Sequence, residues 1–169
     1  MTTRHPFNRI VAWLLDWLII LLWVGIIAAI GSLVYNQTHT ALTPGLGNVL
    51  GFVTLIAPVT LALAWRESSA RQATPGKRLR RLRVVRSVSR DRVRFGRALA
   101  RNVLKIALPW ELGHIVVFAI VGSDGTAFDW IIALAAVAYA LPIVYVVTLF
   151  IGDGRTAYDR ATGTEVVRD

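Results

Sequence analysis

An aspartate, Asp16, interrupts the apolar run over residues 10–30, and Arg9 stands at its mouth. A carboxylate inside a bilayer costs roughly 2.5–3.5 kcal/mol on insertion scales, so it needs a partner or has a task. Arg9 lies two helical turns before Asp16 on the same face. Helical side chains lean toward the N-terminus, however, which points Arg9 away from it. The expected partners are therefore on other helices: Arg101 or Lys105 for Asp16, and Asp159 near the C-terminus for Arg9. Two chemistries follow. Either the pairs fix which helices meet, or Asp16 is a titrating carboxylate in a cation or proton path.

Glu111 and His114 lie deeper, near the middle of a later apolar run and on one helical face. Pro109, just before them, removes a backbone donor, which can kink the helix and free a carbonyl for a cation. Their depth makes these three residues the candidate intramembrane site. Glu-x-x-His also matches half of a di-metal carboxylate site in a helical bundle. The motif occurs once, and further ligands are missing, so no metal is assigned. Other chemistries find no support. Without cysteine there is no thiolate and no disulfide. Gly76-Lys77 lacks the G-x-x-x-x-G-K-[ST] frame of a phosphate loop. Ser68, Ser69, Ser87 and Ser89 have no histidine nearby in sequence, which leaves serine–histidine–aspartate catalysis unsupported. The expectation is a non-enzymatic chain with no cofactor.

The elements that must hold these residues are membrane helices. Of the 169 residues 55% are hydrophobic, above the roughly 45–50% usual for soluble domains. Four stretches are long enough to span a bilayer, at about residues 10–35, 46–65, 98–121 and 130–151. Turn-rich breaks at 36–45 and 122–129, the second with Ser123-Asp124-Gly125, separate them. The first run exceeds the 7–15 residues of a signal h-region and contains Asp16, so it reads as a span. The fold expected is an all-α membrane protein, one domain over residues 1–169. Two helical hairpins are joined by a connector at 66–97 and followed by a tail at 152–169. Fourteen of the nineteen Lys and Arg residues fall between Arg66 and Lys105. The 36–45 loop has none, and the 122–129 loop carries Asp124 and Asp129 instead. By the positive-inside rule the connector and both termini are cytoplasmic, and Arg4 and Arg9 agree.

The basic connector forms a small cytoplasmic cap. Leu82, Val84, Val93 and Phe95 alternate with arginines as in a half-buried strand, whereas Leu79, Leu82, Val85 and Val88 would also fit one helical face. Short strands are preferred, because Val84-Val85 and Val88 are β-branched and Thr74-Pro75-Gly76 reads as a turn before them. Glu165-Val166-Val167 would supply a pairing strand. The arginines mark topology and attract anionic lipid headgroups, at roughly 1 kcal/mol each near the surface. Nucleic-acid binding would want stacking aromatics among them, and only Phe95 is there. Gly47 and Gly51 form a G-x-x-x-G that suits either close helix packing or a lipid-facing surface.

Several segments in order resemble the RDD family of bacterial membrane proteins, named for one arginine and two aspartates. Arg9-Ile-Val-Ala12-Trp-Leu-Leu-Asp16 matches its R-x-x-A-x-x-x-D opening. Thr74-Pro75-Gly76-Lys77 and Leu82-Arg83-Val84-Val85 are similar to its T-x-G-K and L-x-V-V. Arg97 to Asn102 resembles its arginine-led third helix. The tail from Arg155 to Val167, with Gly163-Thr164, resembles R-T-x-x-D-x-x-x-G-T-x-V-V. The resemblance implies that Arg9, Asp16 and Asp159 are the signature residues of a bacterial inner-membrane protein, some relatives of which are linked to cation–proton exchange. The two functions expected are a small transporter or cation/proton exchanger, and a non-catalytic accessory or scaffold subunit docking through the connector and tail. Four helices enclose little space, so a transporter of this size would form a homo-oligomer or join a larger complex.

Overall fold

The computed structural model describes residues 5–123 and 128–168. Arg4 and the Asp124-Gly125 part of the expected outer turn lie outside the described residues. Helix α1 (Pro6–Thr38) opens with proline in its first turn, where the missing N–H costs nothing. Its buried residues are Ala12, Asp16 and Ile20, a stripe with a spacing of four. The rest of α1 is half-buried or exposed apolar surface, as lipid contact requires. Helix α2 spans Pro44–Ser68, and the Thr43 side chain caps it on the Leu46 N–H. A short helix α3 (Pro75–Leu79) and strand β1 (Leu82–Arg86) follow. Then come α4 (Phe95–Gly122), α5 (Asp129–Phe150), the short α6 (Ala157–Ala161) and strand β2 (Thr164–Arg168). Helices α1, α2, α4 and α5 are long and apolar enough to cross a membrane, and each extends beyond the span expected from sequence at one or both ends.

Strands β1 and β2 pair antiparallel, with Val84 opposite Val166 and Leu82 opposite Arg168. On its other side β1 donates from Val84 to the Gln72 carbonyl and from Arg86 to that of Asp91. Val84 and Val85 are both fully buried, so the strand is covered on both faces. Three details differ from the sequence expectation. Thr74-Pro75-Gly76 is the capped first turn of α3, because the Thr74 hydroxyl accepts from the Lys77 N–H. Val88 lies in an exposed turn beyond β1, and Phe95 opens α4. The polar cap shares one core with the membrane helices: Leu82, Val84, Val93 and Val166 pack together with Ala12 of α1 and Ala64 of α2.

Helix α2 packs chiefly against α4, and α4 against α5, while α1 rests on α3 and on the middle of α2. The two glycines of the G-x-x-x-G seat α2 on α4. A Cβ at Gly47 would lie 2.5 Å from the Phe118 ring, and one at Gly51 would lie 3.0 Å from the His114 ring. Both helices contain a wide π turn, Phe52–Ile56 in α2 and Val103–Ala107 in α4, each ending two residues before a proline, Pro58 and Pro109. Proline lacks the N–H that would serve a carbonyl one turn back. Side chains serve it instead: Trp23 donates to the Thr54 carbonyl at 2.9 Å, and the Tyr145 hydroxyl to that of Leu104 at 2.8 Å. One carbonyl in the turn before Pro109, that of Leu104, is therefore held by α5.

Candidate functional site

Five charged side chains from five segments meet where the cap joins the helices. Arg101 of α4 is at the centre, 1% exposed. Its Nη1 donates to both oxygens of Glu67 at 2.8 Å, and its Nε donates to Asp159 Oδ1 at 2.9 Å. The guanidinium also lies over the Tyr158 ring, 5.1 Å from its centroid. Lys77 Nζ reaches Glu67 at 2.7 Å, and Asn102 donates to the same carboxylate at 2.8 Å. Arg9 bridges α1 to the tail, with Nη2 on Asp159 Oδ2 at 2.5 Å and Nη1 on the Gly154 carbonyl at 2.6 Å. Asp159 also accepts from the Thr156 N–H in the capping box of α6 and from the Thr164 hydroxyl at 3.3 Å. Gly163 reaches this turn with φ of +59°, a conformation that suits glycine. Every carboxylate oxygen here has donors. That is the pattern of a buried network that locks its parts together.

Asp16 does not meet Arg101 or Lys105. Its Oδ2 accepts from the Thr74 hydroxyl at 2.6 Å and its Oδ1 from the Gly76 N–H at 2.8 Å, both in the turn that starts α3. The reason is the stripe on α1: Asp16 shares a face with Ala12, and that face receives α3 rather than α4. The approach is close enough to require glycine, because a Cβ on Gly76 would stand 2.1 Å from the Ala12 carbonyl oxygen. The alanine, aspartate, threonine and glycine of the two motifs thus form a single clasp.

Glu67 is a site residue that sequence reasoning does not single out. The available signal was an acid at the end of an apolar helix followed by a basic loop. Without the fold, Glu67 looks like one charge of an exposed helix end.

Burial alone would raise the carboxyl of Asp159, but the charges of Arg101 and Arg9, with hydrogen bonds from Thr156 and Arg9, hold it well below the usual carboxylate range. A depressed folded value means stability that is fully present above the unfolded value, near 3.8, and is lost as pH falls below it. Protease release of the tail from reconstituted protein should therefore be flat from pH 7 to pH ~4 and rise only below that. A rise centred near pH 6 would show that Asp159 is not the group holding the tail.

Glu111 and His114 do not bond to each other. Glu111 Oε1 accepts from Asn48 of α2 at 2.9 Å, while its Oε2 has no partner among the described residues. His114 Nε2 accepts from the Trp110 indole at 3.0 Å. Rings continue in both directions, Trp13 to Trp17 to Trp110 and His114 to Phe118, at centroid distances of 5.5 to 6.1 Å. No group of three His, Asp or Glu residues suited to a metal ion occurs among the described residues.

Beside this ladder α1, α4 and α5 enclose a cavity of about 560 Å³. Its polar end is formed by Arg9, Lys77, Arg101 and Lys105, and no carboxylate of the described residues lines it. Its body is apolar and aromatic and includes Trp17, Pro109, His114 and Tyr139.

Four apolar helices of bilayer length, fastened at one end to a folded polar cap, define a multi-span membrane protein. The chain belongs to the RDD family, whose model matches residues 3–124. That segment contains Arg9, Asp16 and the Thr74–Lys77 turn, while Asp159 lies beyond it. No curated protein and no solved structure matches the chain.

Proposed function

We propose that this chain is a small, non-enzymatic transport protein of the bacterial cytoplasmic membrane whose working site is the cavity between α1, α4 and α5. One observation carries the reading: an apolar cavity within the membrane helices ends in a cluster of cations. The basic connector argues by the positive-inside rule for a cytoplasmic cap, cytoplasmic termini and two helical hairpins. The cavity then opens its polar end toward the inner leaflet. Cationic walls favour an anionic or amphiphilic solute over a metal cation, and the signature residues, with Arg9 paired to Asp159 and Asp16 held by Thr74 and Gly76, serve as the lock for the cap. Glu111, with one oxygen free, is the residue through which a proton gradient would couple. In liposomes holding only this protein, an acidic amphiphile should cross faster than in empty vesicles, and Glu111→Gln should remove the dependence on a pH gradient. Equal rates in loaded and empty vesicles would sink the transport reading.

A second reading, an accessory subunit docking through the cap, is favoured by Leu79 and Val88, which are 72% and 94% exposed among the arginines. It expects a stoichiometric partner in native membranes that is lost on Val88→Asp.

A further inference from the structure

We infer that the cavity binds an acidic membrane phospholipid, with the phosphate on Lys105 and an ester carbonyl on the Trp17 indole. The inference deepens the reading of the cavity as the working site and rests on it. Glu67 accepts four hydrogen bonds, two from Arg101 and one each from Lys77 and Asn102. A carboxylate offers about four acceptor positions, so none is left for Lys105. Asp159 is occupied by Arg101, Arg9, Thr156 and Thr164, and Asp16 is turned to Thr74 and Gly76 and makes no ion pair with Lys105. Lys105 lines the cavity and forms no ion pair or hydrogen bond among the described residues. With no partner among the described residues, its ammonium at the polar end of the cavity is placed to take an anion from outside the chain.

The rest of the cavity says what kind of anion. Its rim is open sideways: Trp13, Val117, Tyr139 and Val146 are 42%, 56%, 75% and 48% exposed. A ligand with hydrocarbon chains can enter from the bilayer and leave its tails along that rim. Beyond the cation there is a second unsatisfied donor. The Trp17 indole N–H is buried without a partner, and its ring rests on Trp110, about 7.5 Å along α4 from Lys105. A phospholipid has an anion and, a glycerol deeper, ester carbonyls. A fatty acid carries its only acceptors in the head.

Native mass spectrometry of the full-length chain in detergent, titrated with phosphatidylglycerol, phosphatidylcholine or oleate, tests the assignment. Phosphatidylglycerol should bind one per chain and more tightly than phosphatidylcholine. Lys105→Gln should weaken it by about fivefold or more, Lys105→Arg should retain it, and Trp17→Phe should weaken it by less. In lipid-free detergent Lys105→Gln should melt no lower than the parent chain, because an unpaired charge is removed. Equal binding of the two phospholipids, binding indifferent to Lys105→Gln, binding of oleate alone, or a lower melting point for Lys105→Gln would each overturn it. Phosphatidylglycerol binding that depends on Lys105, in protein that speeds no acidic amphiphile across vesicles, would sink the transport reading and leave this site standing. Flux of the amphiphile in protein whose phosphatidylglycerol binding ignores Lys105→Gln would do the reverse.

Discussion

Replacing Arg101 with leucine will release the cap and lower stability by about 3–5 kcal/mol, the usual penalty for removing one member of a buried charged group. The size follows from what remains. Arg101 joins Glu67 and Asp159, both with 0% exposure, so its loss leaves each carboxylate with a single cation and vacant acceptor positions. Leucine also loses the cation over Tyr158. The consequence should be visible as a lower melting temperature in detergent and as tryptic access to the connector. The contrasting variant is Arg160→Ala. It breaks an ion pair to Asp153 at 3.0 Å in which both side chains are about half exposed. Such pairs contribute about 0–1 kcal/mol. If the two variants melt alike, the network does not fasten the cap.

Gly76→Ala should be nearly as damaging although it adds one methyl group. That methyl would stand 2.1 Å from a backbone oxygen of α1, which cannot swing aside as a side chain would. Helix α3 must retreat, and the bonds from Thr74 and Gly76 to Asp16 go with it. Overpacking of this kind costs about 1–3 kcal/mol, and a membrane carboxylate stripped of its donors adds to that. The matching control is Gly31→Ala, where nothing stands within 4 Å of the new carbon. It should be neutral or stabilising, since alanine favours a helix over glycine by about 1 kcal/mol. Melting curves of the two variants, with protease access to the α3 region, separate the clasp from a general intolerance of alanine.

These two variants bear on how the signature residues are to be understood. Arg9, Asp16 and Asp159 do not share one ion site. Arg9 and Asp159 belong to the central network, and Asp16 to the clasp on α3. Both arrangements attach loops to helices. That agrees with a pattern in which Ala12, Thr74 and Gly76, which have no charge to offer, are as tightly specified by geometry as the charged residues. The groups still free for chemistry lie elsewhere: Lys105 at the polar end of the cavity and Glu111 on the seam between α2 and α4.

Much of this was legible in the order of residues. Spans show in composition because a bilayer leaves an isolated helix no other way to satisfy its backbone. The strands showed because β-branched residues recur on both sides of the cap, at Val84-Val85 and Val166-Val167, and each needs a partner edge. What could not be read was which face meets which. Depth alone pairs Asp16 with α4, but depth along the membrane normal does not say which neighbour stands on a given side of a helix. The π turn at Val103–Ala107 compounded this, since its extra residue takes Lys105 off the α-helical register set by Arg101. Glu67 is inconspicuous in the sequence for a related reason: a charge at a helix end is ordinary until a segment more than thirty residues away closes over it.

The sequence by itself determined that this is a membrane protein of four spans with a polar, partly β-structured cap, because hydropathy and strand propensity act locally along the chain. Only the tertiary structure decided that the cations share their carboxylates unequally. Arg101, Arg9 and Lys77 form ion pairs within the fold and Lys105 forms none among the described residues, because counter-ions are allotted by distances of under 4 Å between segments brought together only by folding.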